Sequence, residues 1–131
     1  MGHRERLAFE LPASADAAAT ARHRIVAAAT PCRGEADHDT LGLLVSEVVT
    51  NAVLHGGTSR GLDVEVMVGS DAVRVAVSDT GEGFVPRPRA LDSDEVGGWG
   101  LYLVEQLASA WGVSSGERTT VWFELPCVTR A

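Results

Sequence analysis

The hydrophobic pattern of this chain changes period once, in mid-sequence, and that change limits what it can fold into. From Leu41 to Ala52 the apolar residues Leu41, Leu44, Val45, Val48 and Ala52 recur at helical spacing. Beyond Gly56-Gly57 the period falls to two. Leu62, Val64, Val66 and Val68 alternate with Asp63, Glu65 and Met67, and after Ser70-Asp71 the valines 73, 75 and 77 alternate again. The first pattern is an amphipathic helix and the second a β-hairpin. A helix with one apolar stripe and a hairpin with one apolar face bury each other best as two layers.

The remaining elements fit that frame. Arg6 to Leu11 reads as a strand closed by Pro12, and Ser14 is positioned to cap an alanine-rich helix reaching about Thr30, with Pro31 as its stop. Asp37 is positioned to cap the long helix that runs to His55. Thr80 to Gly98 is rich in Gly, Pro, Asp and Arg without periodicity, which predicts a functional loop or lid rather than a simple connection. Leu101, Val104, Leu107 and Ala108 give a third helix, and strands follow near Gly112–Ser115 and Thr119–Leu125. The expected fold is α+β: a two-layer α/β sandwich, its sheet mixed and mostly antiparallel, covered on one face by about three helices.

Length and composition narrow the function. At 131 residues the chain is expected to form one domain. Its net charge of −7 argues against nucleic acid or an anionic membrane as the main partner. All 11 basic residues are arginines, so P-loop, Schiff-base and protein-kinase-type lysine chemistry are excluded. No segment approaches the length of a membrane span or a signal peptide, and Cys32 and Cys127 lack metal-type spacing; a cytoplasmic protein with two reduced thiols is expected.

Three motifs carry chemistry. On the long helix, Glu47, Asn51 and His55 recur every four residues as a polar line beside the apolar stripe. The Asn51 amide oxygen suits Mg²⁺, and Glu47 can accept a proton. Asn51 is also the sole asparagine of the chain. The second motif, Asp79-Thr80-Gly81-Glu82-Gly83-Phe84, directly follows a strand. Its aspartate can accept a hydrogen bond from an exocyclic amine, and its glycines let backbone approach a ligand. The third, Gly97-Gly98-Trp99-Gly100-Leu101, opens a helix and offers backbone N–H groups to a phosphate. Each alone is also compatible with an ordinary polar face, an Asp-rich turn or a glycine-rich helix entry.

Together and in this order, the motifs resemble those of the Bergerat-fold ATP-binding domain of the GHKL superfamily. Glu47–His55 looks like its N-box, Asp79–Phe84 its first glycine box and Gly98–Leu101 its second. Within that superfamily Glu47–Gly57, Val77–Phe84, Gly98–Gly112 and Thr120–Leu125 look like the small stand-alone anti-sigma-factor serine/threonine kinases of bacteria. The resemblance covers nearly the whole chain and implies one ATP-binding domain over residues 1–131. It implies that Asn51 holds the Mg²⁺ of Mg-ATP, that Glu47 is the general base toward a substrate serine, and that Asp79 reads the adenine amine with support from Thr120. It further implies that Gly81, Gly83, Gly98 and Gly100 shape the pocket and the lid ends, that His55 and Gly56 line its floor, and that Phe84 and Leu101 belong to the nucleotide site. The partners it implies are ATP or ADP, a sigma factor and an antagonist protein, with a homodimer as the expected assembly.

The sequence departs from that pattern at Trp99, which stands between the second-box glycines. Arg87 and Arg89 either reach phosphate or are solvated, and the nearby Asp92, Asp94 and Glu95 oppose phosphate unless they point outward. Trp111 and Trp122 read as packing residues. Arg22 and Arg24 read as a solvated face or a docking site, and His23 and His38 show no partner pattern. A non-catalytic ATP/ADP-sensing interaction module is the main alternative. A detached histidine kinase catalytic domain is a further one, against which no phospho-accepting helical hairpin fits in the 36 residues before the long helix.

Overall fold

The computed structural model describes residues 5–29, 35–55, 61–69, 71–79, 99–114 and 118–126. Their order is β1 (Glu5–Pro12), α1 (Ala17–Ala28), α2 (Glu35–His55), β2 (Gly61–Val68), β3 (Ala72–Asp79), α3 (Trp99–Leu107), β4 (Ala110–Ser114) and β5 (Thr120–Pro126). The strands form one sheet in the order β1-β2-β3-β5-β4. All four pairings are antiparallel, as most were expected to be; no parallel pair is present among the described residues.

Alternation decides which face of the sheet is covered. Leu62, Val64, Val66 and Val68 of β2, Val73, Val75 and Val77 of β3, and Val121, Phe123 and Leu125 of β5 are all buried on one face. Against them lie Ala17, Ala21 and Ile25 of α1, Leu41, Leu44, Val45, Val48, Val49 and Ala52 of α2, and Leu101 and Val104 of α3. The small alanines of α1 let that helix approach closely. Helix α2 sits centrally, packing on α1, α3 and β3. Its Gly42 lies under the aliphatic stem of Arg22, whose carbons would stand 3.2 Å from an added Cβ. Arg22 then donates to Ser46 Oγ at 3.2 Å, and His38 Nε2 stands 3.3 Å from the Ala29 carbonyl, joining the end of α1 to α2.

Two expected caps are not used. The N-cap of α1 is Asp16, without a side-chain cap bond. Ser14 instead contributes its carbonyl, which accepts the Ala17 N–H at 3.1 Å in the turn before the helix. Helix α2 begins at Glu35, so Asp37 is inside it rather than at its cap. Among the described residues no helix is long and apolar enough to cross a membrane. Cys32 and Cys127 fall outside the described residues.

The opposite sheet face carries polar and aromatic side chains. The Arg74 guanidinium lies 4.1 Å above the Trp122 ring and pairs with Glu124 at 3.3 Å. On α1, Arg24 stacks on Phe9 at 3.9 Å, which gives it a packing role. Trp122 crosses its register partner Gly112 so closely that a Cβ there would meet indole atoms at 2.7–2.9 Å. Gly112→Ala therefore forces the ring to move. We expect a loss of about 1–3 kcal/mol in stability, read by thermal melting together with a change in tryptophan emission; an unchanged melt would contradict this packing.

Candidate functional site

Two of the motifs lie in opposite layers, one on helix α2 and the other at the end of strand β3. On α2, Glu47 and Asn51 are one turn apart, about 6 Å along the axis. Glu47 is half-buried and borders a groove of about 750 Å³ between α1 and α2, together with Arg22, His38, Leu43 and Ser46. Asn51 is only 4% exposed, whereas Leu54, three residues on, is 57% exposed. A helix built only to pack would reverse those two residues, because burying an amide costs free energy that burying leucine does not. The inversion marks this part of α2 as serving something other than the core.

On the sheet side Asp79 is the last residue of β3 and shares the parity of Val73, Val75 and Val77. It is completely buried. Its Oδ2 accepts the Thr119 N–H at 2.9 Å. Its own N–H donates to the Thr119 carbonyl at 3.2 Å, and its carbonyl accepts from Arg118 Nε at 2.9 Å. The second carboxylate oxygen, Oδ1, is buried without a hydrogen-bond partner among the described residues. A carboxylate oxygen in that position is costly unless a donor meets it. It suits a ligand N–H such as an exocyclic amine.

The predicted support for Asp79 falls one residue away from its expected place. Thr120 shares the parity of Trp122 and Glu124 and lies on the open sheet face, where its Oγ1 is 2.6 Å from Ser78 Oγ. The residue on Asp79 is Thr119, through its backbone. No side-chain pattern announces it, because the contact uses Thr119 backbone groups. Arg118 and its ion-pair partner Asp63 were also missed. They are 55 residues apart, and only the sheet register brings them together.

Helix α3 begins at Trp99, as the glycine-rich entry predicted, and includes Gly100. Leu101 is 3% exposed and belongs to the core. His55 is the last residue of α2, but its side chain lies outside the described set, as does that of Trp99. Gly56, Gly81, Gly83, Phe84, Arg87, Arg89 and Gly98 lie outside the described residues altogether.

Comparison with known proteins agrees with this arrangement. A family model for the histidine kinase-like ATPase domain matches residues 11–125. Among solved structures, the chain resembles the RsbU and RsbW domains of Rv1364c from Mycobacterium tuberculosis, with 25% identity and a TM-score of 0.65 over 92% of this chain and 32% of that one. It also resembles the histidine kinase domain of the EL346 blue-light activated histidine kinase from Erythrobacter litoralis, with 25% identity and a TM-score of 0.51 over 88% of this chain and 61% of that one. It thus spans about a third of the first neighbour and three-fifths of the second. No curated protein gives a significant match. The matched stretch holds the polar line of α2, the buried strand-end carboxylate and the glycine-entered helix α3, in a sheet covered by helices on one face. The chain belongs to the histidine kinase-like ATPase domain family of the GHKL type, whose members bind ATP.

Proposed function

We propose that this chain is an ATP-dependent protein serine/threonine kinase of the anti-sigma-factor type. In this reading it transfers the γ-phosphoryl group of Mg-ATP to a hydroxyl of an antagonist protein, and it sequesters a sigma factor until that antagonist competes. The observation that carries nucleotide binding is Asp79, a fully buried carboxylate with one oxygen held by Thr119 N–H and the other turned to no described donor. Adenine supplies such a donor through its exocyclic amine. The likeness to the chain that carries an RsbW domain supports the regulatory role.

The residues present fit Mg²⁺ accompanied by phosphate. The Asn51 Oδ1 is a buried, hard, neutral oxygen, and among the described residues no cluster of three or more His, Cys, Asp or Glu is arranged to hold an ion by protein ligands alone. Mg²⁺ typically takes one or two protein oxygens and completes its octahedron with phosphate and water. When bound, it would neutralise charge on the β- and γ-phosphate oxygens.

The chain's own residues would supply the rest. Asp79 fixes the adenine end, and Asn51 fixes the triphosphate end. Glu47, one turn from Asn51 and open to the groove, takes the proton from the serine hydroxyl as its oxygen bonds to the γ-phosphorus. The bond from that phosphorus to the β–γ bridging oxygen breaks, and ADP leaves. The test is incubation with γ-labelled Mg-ATP and a candidate antagonist protein. Acid-stable label on serine or threonine is expected. Acid-labile label would indicate phosphohistidine, and ATP binding without any transfer would reduce the protein to a sensing module; either result contradicts the kinase reading.

A further inference from the structure

The geometry points to Arg118 as the positioning residue that aims Asp79 at the nucleobase, an assignment that rests on Asp79 being the adenine reader. Asp79 lies one residue beyond the β3–β5 register, which ends at Ser78 opposite Thr120. Hydrogen bonds to residues 118 and 119 hold it there. Two are its N–H to the Thr119 carbonyl and the Thr119 N–H to its Oδ2. Both use Thr119 backbone groups, so almost any residue at 119 would make them. A third, Arg118 Nε to the Asp79 carbonyl at 2.9 Å, depends on a side chain.

The same guanidinium also grips Asp63 through Nη2. Asp63 is on β2, paired in register with Ser78, next to the Leu62–Asp79 pair. Arg118 thus ties the ends of β2 and β3 together across the open sheet face. It holds the Asp79 carbonyl at the last residue of β3. A carboxylate that must meet one N–H at hydrogen-bond distance depends on such backing. Arginine suits the task because its planar fork serves two acceptors at fixed angles; lysine has a single charged point.

The side chains of the pair are 47% and 35% exposed, so the ion pair itself adds little to stability. Positioning and stability are therefore separable. The experiment is isothermal titration of the full chain with Mg-ATP and with Mg-ITP, whose base lacks the exocyclic amine, alongside melting curves. The variants are Arg118→Ala, Arg118→Lys and Asp79→Asn. Arg118→Ala should weaken ATP about tenfold, leave ITP nearly unchanged and shift melting only slightly. Arg118→Lys should keep the charge opposite Asp63 and still bind ATP as weakly as the alanine variant. An ATP-to-ITP ratio that stays at the wild-type value in Arg118→Ala would overturn the role, as would a parallel loss of both nucleotides with a large fall in melting temperature. If Asp79→Asn also leaves that ratio unchanged, the adenine-reading role of Asp79 fails, and the role of Arg118 fails with it. If Asp79→Asn collapses the ratio and Arg118→Ala does not, only the Arg118 assignment fails.

Discussion

Replacing Glu47 by glutamine should slow phosphoryl transfer by about 10³-fold while leaving ATP affinity within about twofold of wild type. Glutamine keeps the size and polarity of the side chain and removes its ability to take a proton. Glu47 is half-buried at the edge of the α1–α2 groove, away from the packed positions Leu44, Val45 and Val48, so the exchange leaves the core intact. Single-turnover transfer to the partner protein, paired with an ATP titration, separates the two effects. Transfer at the wild-type rate in Glu47→Gln would remove Glu47 from the chemistry.

Asn51→Ala should act on a different quantity. With Mg²⁺ present, ATP affinity should fall about 100-fold; in chelator, where the metal bridge cannot form, wild type and variant should differ little. The buried position adds a structural cost of about 1–3 kcal/mol, because the amide is replaced by a smaller side chain. Melting without nucleotide measures that cost separately. An equal loss of affinity with and without Mg²⁺ would show that Asn51 shapes the pocket rather than holding the ion.

The elements set by repeated pattern were readable from sequence. The β2–β3 hairpin alternates from Leu62 to Val68 and again, after the turn, from Val73 to Val77, and its register follows the alternation. The apolar stripe of α2 is buried as its spacing required. What was misread depends on single residues. Ser14 is a good N-cap by type, but its carbonyl is engaged in the turn that precedes α1, and the helix starts after Asp16. Asp37 has the right chemistry for a cap, yet α2 begins before it at Glu35.

At the site, Asp79 stood out in the sequence as the residue that opens a glycine-rich motif directly after a strand, and the structure buries it at the end of β3. Thr119 was passed over for its neighbour Thr120, whose side chain bonds Ser78 on the open sheet face, because a backbone contact leaves no mark in residue type. The Arg118–Asp63 pair was not legible, since no local pattern relates residues on β2 and before β5 until the sheet is assembled. The burial of Asn51 beside an exposed Leu54 was likewise hidden. Sequence placed Asn51 in a polar line along α2, and only packing shows that Asn51 itself is buried.

Nucleotide binding by this chain turns on the contact between Asp79 and the adenine amine. Titration calorimetry of Mg-ATP into the wild-type chain and into Asp79→Asn tests it in one experiment. Saturable binding to wild type is expected, with a loss of at least about 100-fold when the carboxylate that receives the adenine amine becomes an amide. No binding heat with wild type across several temperatures, or undiminished affinity in Asp79→Asn, would contradict it.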